Sequence, residues 1–156
     1  PTGYYVMSFN TATNNWDILS SSSNGQIYWW VINQSSDKYI VGGFENRAHD
    51  LLLCVNPNGW HHLMKLDPAT NTFQFIEGGS NGKIGTWTIG HHNRFLAGKF
   101  DGSINGGINP PHHLLAIDPS GNSKTLELVN NHWTQVATNN GDGRIAGWHI
   151  GWGDHY

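Results

Sequence analysis

The sequence predicts an all-β domain assembled from three copies of one unit, and three observations carry that expectation. A Gly-x-Ile-x-x-Trp-x-Ile segment occurs three times. Short apolar runs end again and again on Asn or Asp turns. No stretch of useful length shows the 3.6-residue apolar period of a helix.

The repeated segment is the sharpest landmark. Gly25-Gln26-Ile27-Tyr28-Trp29-Trp30-Val31-Ile32 matches Gly82-Lys83-Ile84-Gly85-Thr86-Trp87-Thr88-Ile89, and both match Gly143-Arg144-Ile145-Ala146-Gly147-Trp148-His149-Ile150. Large aromatics in register with flanking Ile are packing residues, so Trp30, Trp87 and Trp148 are assigned to the core. Trp29, Trp60, Trp133 and Trp152 break the repeat and are expected to be the exposed ones.

A second landmark opens each unit. Tyr4-Tyr5-Val6-Met7-Ser8-Phe9-Asn10 aligns with His61-His62-Leu63-Met64-Lys65-Leu66-Asp67, and again with His112-His113-Leu114-Leu115-Ala116-Ile117-Asp118. Pro68 and Pro119 follow the acids, a turn signal because Asp caps the turn and Pro presets φ. Phe73-Gln74-Phe75-Ile76 alternates as the next strand, and Gly78-Gly79-Ser80-Asn81-Gly82 turns the chain again. Lys38-Tyr39-Ile40-Val41 and Arg94-Phe95-Leu96-Ala97 read as a fourth strand. On this alignment the single domain divides near 1–56, 57–109 and 110–156, with a short insertion in the third unit around Leu126 to Trp133. Three four-stranded units that share one core fit a β-trefoil best, with a β-prism, one sheet per unit, as the alternative.

Candidate binding residues follow from a third landmark. A Gly, two residues and an acid recur after each Trp segment, as Gly42-Gly43-Phe44-Glu45, Gly98-Lys99-Phe100-Asp101 and Gly151-Trp152-Gly153-Asp154. Polar neighbours come with them: Asn46 and His49, then Asn105, then His155. A carboxylate accepts hydrogen bonds from vicinal hydroxyls, an aromatic ring covers a sugar's C–H face, and Asn or His adds directional bonds. Glu45, Asp101 and Asp154, supported by Phe44, Phe100 and Trp152, are therefore expected to form up to three shallow sugar sites. The competing reading of each acid is a cap on its own loop backbone.

Other chemistry finds less support. The ten histidines include the adjacent pairs His61-His62, His91-His92 and His112-His113. Strand neighbours point to opposite faces, and zinc-type spacings are missing, so no metal is expected. Cys54 is the only cysteine and sits in the apolar run Leu51 to Val55, which suits a buried thiol. No nucleophile elbow, phosphate loop or dinucleotide fingerprint occurs, so neither catalysis nor a cofactor is expected.

Composition narrows the partners. Only 12% of the 156 residues are charged and the formal net charge is −3, which argues against nucleic acid. No apolar run approaches the ~20 residues that span a bilayer, so membrane insertion is not expected. The N-terminal residues lack the pattern of a signal peptide, and the compartment is left open.

Threefold repetition, eight Trp, abundant Asn and Gly, few charges and the lack of a disulfide pair resemble β-trefoil lectins as a group. The resemblance covers the chain in architecture. The Gln-x-Trp signature of the ricin-type branch is absent, since Tyr28, Gly85 and Ala146 stand two residues before the three Trp. It implies glycans or glycoproteins as partners and brings no site residues with it. A trefoil protease inhibitor is the alternative, acting through one long loop, 45–50 or 101–109.

Overall fold

The computed structural model describes residues 3–32, 36–44, 50–100 and 111–139, and the backbone of two short strands, Arg144–Ile145 and Trp148–His149. The described chain is all-β, as the sequence predicts, with no helix among its elements. A hairpin of β1 (Tyr4–Asn10) and β2 (Asn15–Ser22) comes first, followed by a two-residue ribbon of β3 (Gln26–Ile27) and β4 (Trp30–Val31). A four-stranded sheet then runs through β5 (Lys38–Gly42), β6 (Leu51–Val55), β7 (His61–Asp67) and β8 (Thr72–Gly79). The pattern returns as ribbon β9 (Lys83–Ile84) and β10 (Trp87–Thr88) and a second sheet, β11 (Arg94–Gly98), β12 (His113–Ile117), β13 (Ser123–Val129) and β14 (His132–Asn139). A third ribbon pairs β15 (Arg144–Ile145) with β16 (Trp148–His149).

Each four-stranded sheet is an antiparallel meander in which consecutive strands are neighbours, and the first strands, β5 and β11, touch. The pairs β6–β7 and β11–β12 join neighbouring units across 56/57 and 109/110.

The Gly-x-Ile-x-x-Trp segment explains itself locally. Gly25 and Gly82 take φ of 76° and 77°, and their carbonyls accept the Ile32 and Ile89 amides at 2.7 and 2.8 Å. Asn24 and Asn81 cap the turn by accepting the Gln26 and Lys83 amides at 3.0 and 3.1 Å. Ile and Trp then face each other directly across the ladder: Ile27 with Trp30, Ile84 with Trp87, Ile145 with Trp148. Trp30 and Trp87 are both buried, as expected. The side chain of Trp148 lies outside the described residues.

Three hairpins share one defect, and it fixes the true repeat. β1–β2, β7–β8 and β13–β14 each carry a bulge, with Leu19, Ile76 and Val136 as the extra residue. The bulges make Val6, Leu63 and Thr125 equivalent. The start of the third copy therefore differs from the sequence alignment. His113 pairs with Gly98 as Leu51 pairs with Gly42, so β12 is the counterpart of β6, not of β1 and β7. The turns confirm it: Asn56 Oδ1 accepts the Asn58 and Trp60 amides, and Asp118 Oδ1 accepts the Ser120 and Asn122 amides. The extra length therefore falls in the segment 99–112 of the second copy, against 43–50 of the first, and not in the third copy around Leu126 to Trp133. The sheets also straddle the boundaries at 56/57 and 109/110.

The main core lies between the two four-stranded sheets. Leu51, Leu53, Val55 and Leu63 meet Leu114, Ala116, Leu126 and Leu128, with Ile84 and Trp87 of the second ribbon among them. Trp133, expected to be exposed, is buried here at 6%. Phe44 meets it edge-on at 5.2 Å, and Gly85 leaves room for its carbonyl, since a Cβ there would lie 2.6 Å away. The opposite face of the first sheet packs a smaller cluster of Ile27, Trp30, Cys54 and Met64, with Tyr4 and Phe73 alongside. Burial pushes the Cys54 thiol up to about 12, so it is an inert packing group.

Candidate functional site

A cavity of about 340 Å³ opens beside this smaller cluster, lined by Trp29, Trp30, Val31, Asp37, Asn56, Trp60 and His62. Three segments build it. The first ribbon contributes Trp29 to Val31. Its tip residue Tyr28 sits at φ 55°, where the second ribbon has Gly85 at φ 54°. A non-glycine residue in that left-handed region costs on the order of 1–2 kcal/mol, and here it turns Trp29 outward to 73% exposure. The β6–β7 turn contributes Asn56 and Trp60, the latter held at the rim because its amide bonds to Asn56 Oδ1 at 3.0 Å. Trp60 is 49% exposed. Asp37 leads into β5, and His62 comes from β7.

The polar groups of the cavity are short of partners. Six buried side-chain atoms among the described residues lack a hydrogen bond, and three of them, Trp30 Nε1, Asp37 Oδ1 and His62 Nδ1, belong to residues that line this cavity. A buried polar atom without a partner costs roughly 1–3 kcal/mol. The Trp30 indole and the Asp37 carboxyl offset part of that cost between themselves, which leaves His62 Nδ1 the plainest case. Asp37 is not wholly alone: the Tyr39 hydroxyl donates to its Oδ2 at 3.5 Å. Burial pushes the Asp37 carboxyl above its ordinary value, while the nearby Trp30 indole and Tyr39 pull it back. Burial drives the His62 imidazole down, helped by His61 and opposed by Glu77, so its neutral form is favoured at neutral pH. The ring is wedged edge-on between Trp30 and Phe75, at 5.3 and 5.4 Å.

The same place in the second unit is bonded differently. Trp87 Nε1 donates to Asn93 Oδ1 at 3.2 Å, and the Gly90 amide donates to the same oxygen. Asn93 precedes β11 as Asp37 precedes β5. Thr86 stands for Trp29, Asn122 for Trp60 and Lys124 for His62, by ladder and turn position. Lys124 Nζ reaches across and donates to Thr86 O and Oγ1 at 3.2 and 3.3 Å. One unit therefore keeps an aromatic cavity with unmet hydrogen bonds, and the other satisfies its own.

Most of the residues expected from the sequence fall outside what the structure describes. Glu45, Asn46, His49, Asp101, Asn105, Trp152, Asp154 and His155 are outside the described residues. Phe44 is fully buried, so it packs the core and offers no face for stacking. Phe100 is 43% exposed. Both rings fold back over the glycine two positions earlier: a Cβ on Gly42 would lie 3.0 Å from Phe44 Cζ, and one on Gly98 2.9 Å from Phe100 Cζ. The glycine of the Gly-x-x-acid landmark thus serves its phenylalanine. Among the paired histidines, His61 bonds the Glu77 carboxylate at 3.1 and 3.2 Å while His62 faces the cavity. Among the described residues no three His, Cys, Asp or Glu gather closely enough to hold a metal ion.

Trp29 and Trp60 were legible as repeat-breaking, exposed rings. Asp37, Asn56 and His62 were missed. Their signal was also a break in the repeat, visible only once the correct copy, Asn93, Asp118 and Lys124, stands beside them. Compared with protein-family models and with curated proteins, the chain matches none.

Proposed function

We propose that this chain is a carbohydrate-binding protein whose best-supported site is the Trp29–Trp60 cavity. The observation that carries the reading is the pairing of exposed indole faces with unmet hydrogen-bonding atoms around one small hollow. Indole covers the apolar C–H face of a sugar ring, and Asp37, His62 and the Trp30 N–H answer its hydroxyls. A cavity of about 340 Å³ falls at the small end of ligand sites. Binding is favoured over hydrolysis because Asp37 is the only carboxylate lining it among the described residues, whereas glycoside hydrolysis commonly needs two.

A single shallow site of this kind binds weakly, at around the millimolar level of about −4 kcal/mol. The loops of Glu45, Asp101 and Asp154 remain part of the proposal as further contacts, and simultaneous engagement on one surface raises avidity without a new interaction. A glycan array with the parent and with Trp29→Ala tests the reading. Array binding that the variant loses supports it. Binding to no glycan, or binding unchanged in both Trp29→Ala and Trp60→Ala, overturns the cavity as the site.

A further inference from the structure

We propose that the cavity selects a carbohydrate carrying a free, protonated amino group over neutral, N-acylated or carboxylated counterparts. This rests on the carbohydrate reading above and names the class of sugar. Among the described residues the lining holds one acid, Asp37, and no Lys or Arg. An indole presents the negative face of its quadrupole to whatever lies over it, so Trp29 and Trp60 attract a cation and gain nothing from an anion. Asp37 Oδ1 is buried without a hydrogen bond of ordinary geometry, with only the Trp30 indole and the Tyr39 hydroxyl beside the carboxylate among the described residues. A charged donor bonds a carboxylate roughly twice as strongly as a neutral one.

The second unit supplies an internal precedent. At the corresponding place the second unit carries an ammonium of its own, that of Lys124, which donates to Thr86 O and Oγ1 at the surface. Thr86 is the counterpart of Trp29, so the backbone carbonyl of Trp29 is the acceptor at the corresponding place. In the first unit the residue at the lysine's position is His62, whose neutral form brings no charge of its own. The cation that one unit carries on its own side chain is, in the other, left to the ligand. The aromatic rim then favours a ring with an apolar face over a bare ammonium, which joins the two halves of the specificity in one sugar.

The test is titration of the whole chain, followed by tryptophan fluorescence, with glucosamine, glucose, N-acetylglucosamine, glucuronate and tetramethylammonium. Glucosamine is expected to bind tighter than glucose or N-acetylglucosamine by roughly tenfold or more, with glucuronate weakest. Asp37→Asn should weaken both sugars and bring glucosamine and glucose to within about twofold of each other. His62→Lys places an ammonium as Lys124 does in the second unit and should abolish glucosamine binding, with circular dichroism reporting an intact fold. Equal binding of glucosamine and glucose by the parent overturns the selectivity and leaves the carbohydrate reading standing. A preference for glucosamine that persists undiminished in Asp37→Asn overturns Asp37 as its source, and with it the proposal. Tetramethylammonium binding with no sugar bound overturns the carbohydrate reading itself, and the selectivity with it.

Discussion

Lys124 occupies in β13 the ladder position that His62 occupies in β7, and the exchange trades an imidazole for a cation. The lysine bonds Thr86, whereas the imidazole stays against Trp30 and Phe75. The two units share ribbon, turn and bulge, so at this position their difference is one of side chains.

The three tryptophans of the cavity should separate by phenotype. Trp29→Ala and Trp60→Ala remove exposed rings and should change stability by no more than about 0.5 kcal/mol while weakening glycan binding. Trp30→Ala empties a buried position and should cost roughly 3–5 kcal/mol. Chemical denaturation of the three variants, read beside binding, checks the division.

Asn93 should matter more for folding than its polarity suggests. Its side-chain oxygen accepts both the Trp87 indole and the Gly90 amide inside the protein. Asn93→Ala leaves a buried indole N–H unpaired and should cost about 1–3 kcal/mol. Asn93→Asp, which copies the residue found in the first unit, keeps an acceptor and should cost less. Equal losses in urea melts would show that the oxygen is not the important part.

Stability should depend on the His62 proton with a definite sign. Its folded pKa lies below the ordinary 6.5, so the unfolded chain binds the proton more readily. The neutral ring's contribution is complete above the unfolded value and is lost as pH falls below it towards the folded one. Urea melts at pH 8 and pH 5 should therefore show the parent losing more stability on acidification than His62→Gln, as linkage requires. An identical loss in both would remove His62 as the cause.

Gly59 and Gly82 meet backbone to backbone, the Gly82 amide bonding the Gly59 carbonyl at 3.1 Å. A Cβ on Gly59 would lie 2.6 Å from Gly82 Cα, at φ 91°, while a Cβ on Gly82 would meet nothing within 4 Å. Gly59→Ala should lower stability by more than about 1 kcal/mol, and Gly82→Ala, strained in φ alone, by less. Thermal melts of the pair decide it.

How much of this was readable beforehand depends on where each feature is made. The Gly-x-Ile-x-x-Trp ribbon is built by residues inside it, so both the repeat and the burial of Trp30 and Trp87 were legible. The second landmark misled because two different turns end an apolar strand on Asx. Asn10 and Asp67 close β1 and β7, whereas Asn56 and Asp118 close β6 and β12. Trp133 was misjudged because Phe44 and Gly85, distant in sequence, decide its burial. The cavity was invisible for the same reason: Trp29, Asp37, Trp60 and His62 come together only through the β5–β6–β7 pairing.

The first hairpin shows most of its apolar side chains to solvent. Met7 is 51% exposed where its counterparts Met64 and Leu126 are fully buried, and Tyr5, Phe9, Trp16 and Ile18 are exposed with it. Tyr4 is its anchor, touching Phe73 at 5.7 Å and joining the cluster beneath Trp30. A two-stranded unit with so little cover opens at low free energy, so its amides exchange with solvent ahead of those in the four-stranded sheets. The chain leaves β2 directly into the ribbon that carries Trp29 and Trp30, which ties the cavity's aromatic wall to the least protected part of the fold. A ligand gripping that wall would slow exchange in β1 and β2, at strands it never touches.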